Sequence, residues 1–428
     1  MIKLKKIYML NEKYLTYTMN PKQIFCPIHG IIGITPLMKK IIDTPEFKRL
    51  HGLRQLGAAY LVYPSANHTR FEHSIGVAHL AGIMIKHLQQ NQPELEITDR
   101  LVELVQIAGL VHDIGHGPFS HMYDEIMEQF GLPEHEERGI KIFKSMIDKY
   151  NIALSIEEID IIINMINPEG EKKYNYLYQI VANKVCSVDV DKMDYLQRDS
   201  YHLGFSKNIN YDRLLTMCRV VQLNGKMQLA WPEKVQHDIL MLFETRYRLH
   251  KTVYYHHAVK SCEFIIKNIL TTIIDNSEDK NCLQMSSDMI IYMHSNENLN
   301  SLREQLDMRL FPKLVGEKVV FHTDNSDSLE NIENIETKIK SVVKNLEDKN
   351  IKNTGLNKFT IGFISGNGNN PLKNVIYFNN KNILHGFTLE HYNSFMEPKN
   401  FKEYIYRIYA YDKKYIEYAE NIWNTFIH

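Results

Sequence analysis

The spacing of apolar and polar positions divides the chain into a long helical part and a shorter mixed part. Pro36 to Leu56 (PLMKKIIDTPEFKRLHGLRQL) reads as two short helices, the second opening at Asp43-Thr44-Pro45, where proline at the first helical position follows a capping residue. Ala58 to Tyr63 reads as a brief extended piece. Arg70 to Gln90 carries Ile75, Val77, Leu80, Ile83 and Ile85, which predicts a helix buried along one side. Ile97 to Val111 predicts the next helix, and others follow at about Glu134–Tyr150, Ile156–Ile166, Tyr176–Lys184 and Asp191–Tyr201. Arg219 to Trp231 alternates around Asn224-Gly225, a strong hairpin signal. Pro232 then starts a long helix to about Ile274.

Beyond that point the pattern changes. Asn276–Asn300 is polar with one short helix, and Ser301 to Val320 reads as helical, then extended. Ser326–Asn353 reads as a solvated helix or linker. Thr360–Ile364 and Asn374–Phe378 look like paired strands, and Asn400–Phe426 like a closing Tyr-rich helix. No internal repeat is visible. The fold class is therefore mainly α, with an N-terminal segment 1–35, a helical core 36–275 and a smaller α+β C-terminal lobe 276–428.

Composition narrows the function classes. With 428 residues, two or three subdomains are the default. Lys and Arg number 50 against 51 Asp and Glu, a balance that argues against a protein whose main work is coating nucleic acid. The five dispersed cysteines contain no CxxC pair and suggest reduced thiols in an intracellular protein. Met1 to Met19 is broken by Asn11, Glu12 and Lys13, too short an apolar run for a secretory signal. No apolar stretch approaches the ~20 residues of a membrane span. A soluble chain in the cytoplasm or nucleus is expected, with no membrane partner.

The chemistry concentrates in Gly109-Leu-Val-His112-Asp113-Ile-Gly-His116-Gly-Pro-Phe-Ser-His121-Met-Tyr-Asp124. Histidine and carboxylate are the usual ligands of a divalent metal and the usual proton carriers near neutrality. A lone buried His-Asp pair is more often a core hydrogen bond, but this density around a Gly-Pro helix break favours a site. His73 on the preceding helix and Asp191 at a later helix start could complete one centre with His112 and Asp113. That imidazole–carboxylate set suits Mn, Fe, Zn, Ni or Mg. Spacing alone does not prove that the four meet. Asp191, Tyr195, Asp199 and His202 form a polar stripe beside Lys192, and Arg246, His250 and Tyr254 a second row. Arginine supplies forked donors for phosphate, although an ion-paired surface row would read alike.

Together, TRFEHSIGV, GLVHDIGHGPFSHMYD and VDVDKMDYLQRDSYHLG resemble the HD-domain deoxynucleoside triphosphate triphosphohydrolases, especially vertebrate members that join a sterile alpha motif to the HD domain. The resemblance runs from about Pro27-Ile-His-Gly30 to the terminal helix, and only about 25 residues precede it, so no sterile alpha motif is expected. It implies water attack at the α-phosphorus of a dNTP, releasing deoxynucleoside and intact triphosphate. His73, His112, Asp113 and Asp191 match the metal ligands; His121 the general acid, with Asp124 orienting it; His116 and His135 nearby active-site histidines. Arg70, Lys192, Tyr195 and Arg246 match triphosphate contacts, Gln55, Leu56, Asp199 and Tyr254 those around sugar and base, and His250 another pocket position. It also implies a further Mg with the triphosphate, a GTP or dNTP activator, and a homo-oligomer, dimer or tetramer, with its contacts in the 276–428 lobe. For the regulatory nucleotide Asp43, Arg309 and Lys313 are retained, whereas Lys48 and His51 replace the family's glutamine and arginine and Cys26 its aspartate.

Two other classes stay open on the residues. One is an HD phosphohydrolase acting on a nucleoside monophosphate or guanosine polyphosphate, against which the Arg70, Lys192 and Arg246 excess speaks. The other is a nucleotide or single-stranded nucleic-acid binder with little turnover, for which near-zero net charge supplies little electrostatic footprint.

Overall fold

A computed structural model describes residues 22–205, 210–294, 297–322, 334–342, 344, 354–362, 371–379, 382–389 and 402–427. A short hairpin, β1 (Lys22–Cys26) and β2 (Gly30–Ile34), leads into α1 (Pro36–Ile42) and α2 (Pro45–Lys48), whose Thr44 and Pro45 form the expected start signal. The core follows: α3 (Arg70–Asn91), α4 (Asp99–Val111), α5 (His121–Gln129), α6 (His135–Tyr150), α7 (Ile156–Ile166) and α8 (Val190–His202). Local chemistry sets the starts. Thr98 accepts from Leu101 N–H, Ser155 and Glu158 form a capping box, and Asp189 accepts from Lys192 N–H. One apolar cluster, running from Ile32 through Met84, Leu110, Leu196 and Phe243, holds these helices together.

The hairpin at Asn224-Gly225 forms as β3 (Arg219–Leu223) and β4 (Lys226–Pro232), with φ of 52° and 75° at the turn residues. The expected single helix from Pro232 is instead α9 (Gln236–Leu249), a π turn at His250–Tyr254, and α10 (His257–Asp275). Four expectations are corrected alongside it. Ala58–Tyr63 is not extended: Gly57–Leu61 winds as a 3₁₀ turn whose Ala58 and Ala59 pack inward. Tyr176–Lys184 supplies only a 3₁₀ turn at Tyr176–Gln179.

Asn400–Phe426 splits into a strand, Lys402–Ala410, and a helix, Ile416–Ile427, because alternating Tyr and Ile suits a pleated surface better than a helix. That strand is the centre of a three-stranded sheet, antiparallel to both Lys313–His322 and Thr354–Gly362. The segments around Thr360 and Asn374 therefore do not pair with each other. Ile376–Asn379 pairs with Asn382–Thr388, and this hairpin closes a four-stranded barrel with β3 and β4. Most of Ser326–Asn353, and Met1 to Met19, lie outside the described residues; positions 334–342 and 344 are helical. The five cysteines are free thiols, four of them buried. Among the described residues no helix is long and apolar enough to cross a membrane.

Candidate active site

α3 and α4 cross so closely that a methyl group at Gly109 would lie 3.0 Å from the Ala78 Cα. That approach needs glycine, and it brings His73, near the start of α3, and His112, just past the end of α4, to ring centroids 5.1 Å apart. Asp191, in the first turn of α8, completes the group: one of its oxygens lies 3.0 Å from His73 Nε2 and 3.4 Å from His112 Nε2. Asp113 flanks both rings, 3.3 Å from His112 Nε2 and 3.6 Å from His73 Nε2. The structure thus brings together all four residues that spacing could not join.

The outer hydrogen bonds fix the tautomers. His112 Nδ1–H donates to Gly109 O at 2.8 Å, and His73 Nδ1–H donates to Asp194 Oδ2 at 2.8 Å. Both Nε2 atoms then face the carboxylates, and His112 Nε2 is buried with no hydrogen-bond partner. A divalent cation satisfies such a buried donor set, and histidine ligands typically have outer partners of this kind. The field is strongly negative. Burial opposes charge on His73, yet Asp191 and Asp194 push its pKa up to about 10, and His112 is also raised, by Asp113 and Asp191. Burial likewise opposes charge on Asp113 and Asp191, but Arg70 beside the first and the two histidines beside the second hold both carboxyls well below the usual range.

A second cluster lies past the Gly-Pro break. His135 Nδ1–H donates to Asp124 Oδ2 at 2.8 Å; His121 Nδ1 lies 3.6 Å and His116 Nδ1 3.9 Å from the same oxygen, and Arg138 pairs with the other. His116 and His135 stack at 3.9 Å. Burial, together with Arg70 and His135, drives the His116 pKa well down, so it stays neutral. His121 opens α5 and its side chain is 74% exposed. Phe119 and Ser120 before it both sit at φ 59°, a left-handed conformation that costs about 1–3 kcal/mol per residue. Phe119 N–H donates to Asp288 at 2.7 Å and Arg70 Nε–H to Ser120 Oγ at 2.7 Å, which anchors the turn and aims His121.

A cavity of about 350 Å³ joins the two clusters. Of the sequence-predicted substrate residues, Gln55, Leu56, Arg70, Tyr195, Asp199, Arg246, His250 and Tyr254 line it. Tyr254 O–H donates to Asp199 Oδ2 at 2.5 Å and His68 Nε2–H to Asp199 Oδ1 at 2.7 Å, while the buried Gln55 Oε1 has no partner. Lys192 departs from the set. Its ammonium donates to Asp189 at 3.0 Å and lines a smaller cavity of about 160 Å³, also walled by His112, Asp113, His135 and Asp191. His202 leaves the stripe as well and stacks on His68 at 4.3 Å.

The regulatory candidates sit on different elements. Asp43 pairs with Lys39 at 2.6 Å and has Lys48 at 3.8 Å, and His51 stacks on Phe71. Arg309 donates to Leu61 O at 2.8 Å, and Lys313 opens its strand. Cys26 is buried against Arg198.

Sequence reading missed two sets of residues. Asp194, fully buried, accepts from His73, His29 and Arg198; a methyl at Gly76 would collide with it. The Asp194/Arg198 i, i+4 spacing on the apolar side of α8 was the available signal. Tyr255, Lys260 and Glu263 line the cavity from beyond the π turn, past the Arg246, His250 and Tyr254 row at which the sequence reading stopped.

Comparisons with known proteins agree with this geometry. The HD domain signature matches residues 70–199. Deoxynucleoside triphosphate triphosphohydrolase SAMHD1 of Bos taurus is 36% identical over 345 residues, covering 69% of this chain and 59% of its own length. The SAMHD1 homolog of Dictyostelium discoideum is 43% identical over 249 residues, 57% of this chain and 48% of its own. The chain thus spans about half the length of these curated relatives. The putative HD domain-containing protein L394 of Acanthamoeba polyphaga mimivirus is 32% identical over 440 residues, 94% of this chain and 95% of its own. With both aligned almost end to end and the HD signature lying over the His/Asp centre, the chain belongs to the HD-domain family that includes the deoxynucleoside triphosphate triphosphohydrolases.

Proposed function

We propose that the protein hydrolyses dNTPs to deoxynucleoside and inorganic triphosphate. The observation that carries this reading is one cavity lined by His73, Asp113 and Asp191, with His112 beside them, together with the cations Arg70 and Arg246 and the Asp199–Tyr254 pair. His73, His112, Asp113 and Asp191 would hold a divalent ion, which would make water more acidic and offset phosphoryl charge; Mn, Fe, Zn, Ni and Mg all suit the set. Arg70 and Arg246 hold triphosphate oxygens, with Lys192 contributing positive charge from behind Asp191. Tyr195 and His250 close the walls, and Gln55 and Leu56 cover the sugar. Tyr254 against Asp199 leaves little room at C2′, which disfavours a ribose hydroxyl. His121 holds the proton that the leaving 5′ oxygen needs, while Asp124 and His135 fix its ring and neutral His116 separates it from the metal group.

The reading extends to regulation. A nucleotide held by Asp43, Lys48 and His51 of one copy and by Arg309 and Lys313 of another would bridge two copies, with the 276–428 lobe supplying oligomer contacts.

Purified protein with Mn or Mg and each dNTP, resolved for deoxynucleoside and triphosphate with and without GTP, tests both parts. Release of dNMP and pyrophosphate would move the reaction to another bond, and intact dNTPs under every condition would refute it. Rates and oligomer size indifferent to GTP would remove the regulatory site.

A further inference from the structure

The cavity wall farthest along the chain from the metal group carries two charges that the proposed reaction does not use. α10 begins after the π turn, and its first turns bring Lys260 and Glu263 to the cavity lining. Lys260 Nζ donates to Glu263 Oε2 at 2.7 Å, and the side chains are only 12% and 22% exposed. The ammonium also lies 4.8 Å from the Tyr255 ring centroid. The helix orientation is fixed by its neighbours: Val259 and Cys262 are buried in apolar clusters, and Ser261 Oγ–H donates to Pro312 O. Structure alone does not call for this pair. Replacing a buried ion pair by apolar residues of similar volume is often neutral or stabilising, so charge retained on a cavity wall points to a ligand.

We propose that Lys260 and Glu263, beside the Tyr255 ring, read the base of the nucleotide and select guanine, an inference that rests on the dNTP reading above. With phosphates at Arg70 and Arg246 and the sugar at Asp199–Tyr254, this wall is what the base meets. Its chemistry is a carboxylate with two acceptor oxygens next to a cationic donor. Guanine is the base whose edge offers two parallel donors, N1–H and N2–H, beside an acceptor, O6. Glu263 accepts the pair and Lys260 donates to O6. Adenine and cytosine offer one amino group beside a ring acceptor, and thymine one N–H, so each leaves an oxygen of the carboxylate unmatched. Tyr255 supplies an aromatic face, which every base tolerates, so selection resides in the charged pair.

The test is competition among the four dNTPs with the metal-loaded protein, with dITP, which lacks the N2 amine, as a fifth substrate. The dGTP to dATP ratio of kcat/KM is expected to reach roughly 10-fold or more, within the span of one bidentate contact. dITP should fall between them, and Glu263→Gln should collapse the ratio. Lys260→Met combined with Glu263→Leu removes both charges without stranding either, so it separates loss of selection from misfolding. Binding of free deoxynucleosides by calorimetry reads the same wall without turnover. Selective deoxyguanosine binding, lost in Glu263→Gln, supports the inference even if no dNTP is hydrolysed, an outcome that would fell the proposed reaction alone. Equal rates for all dNTPs, or equal binding of all four deoxynucleosides, overturns the base-reading wall and leaves the reaction standing.

Discussion

Replacing Asp194 with asparagine should damage both stability and metal retention, although Asp194 touches no substrate. Its two oxygens accept four hydrogen bonds: Oδ1 from His29 Nε2–H at 2.6 Å and an Arg198 terminal N–H at 2.8 Å, Oδ2 from His73 Nδ1–H at 2.8 Å and Arg198 Nε–H at 2.9 Å. Asparagine keeps the shape but turns one oxygen into an NH₂. Whichever way the amide faces, that NH₂ opposes one Arg198 donor and one histidine donor. Arg198 is fully buried, so its charge is left without its carboxylate. Removing one partner of a buried pair costs about 3–5 kcal/mol. With a urea m-value of about 3 kcal/mol/M, the midpoint falls by roughly 1–1.7 M. His73 loses its outer partner too, a change worth about 10–100-fold in metal affinity. Urea unfolding after chelation isolates the stability effect, and metal titration of the folded variant isolates the second. A variant with the wild-type urea midpoint and wild-type metal affinity would refute the reasoning, because it would mean that Asp194 neither compensates Arg198 nor orients His73.

Two further outcomes follow from the same geometry. Asp191→Ala should stay folded, since its side chain is 30% exposed, while losing bound metal and turnover; elemental analysis of the purified variant checks this, and wild-type metal content would remove Asp191 from the ligand set. His79 is pushed down to about 4, first by burial and then by the charge of His29. Between about pH 6.5 and 4 the unfolded chain therefore takes up a proton at His79 that the folded chain does not, so stability falls as pH drops through that window. His79→Gln should lose less urea resistance between pH 7 and pH 4.5 than the wild type, and equal losses would show that the ring titrates normally.

Much of the helical core was legible because apolar spacing marks the helices and local chemistry marks where several of them start. Thr98, Ser155 and Asp189 cap where a polar residue precedes an apolar run, and Asn224-Gly225 turns where φ must be positive. The C-terminal lobe was not, because its order is non-local. The strand at Lys402–Ala410 reads as part of a helix until two partners from Lys313–His322 and Thr354–Gly362 flank it. The metal candidates were legible as residue types but not as a group. What joins them is the crossing of α3 and α4 at Gly109, a backbone approach that no spacing of histidines encodes.

The same contrast divides the cavity itself. One side of it draws on motif residues, among them Asp113, His116, His121 and Asp191, whose chemistry shows in the string of letters. Its opposite wall lies beyond a break in the helix: α9 gives way to the π turn at His250–Tyr254 before α10 brings Lys260 and Glu263 to the lining. A change of substrate can therefore be written into α10 without touching the HD centre. On the proposed reading, reaction chemistry and base choice lie on different elements of this fold, so substitutions at Lys260 and Glu263 should move selectivity while the His73, His112, Asp113 and Asp191 group keeps its geometry.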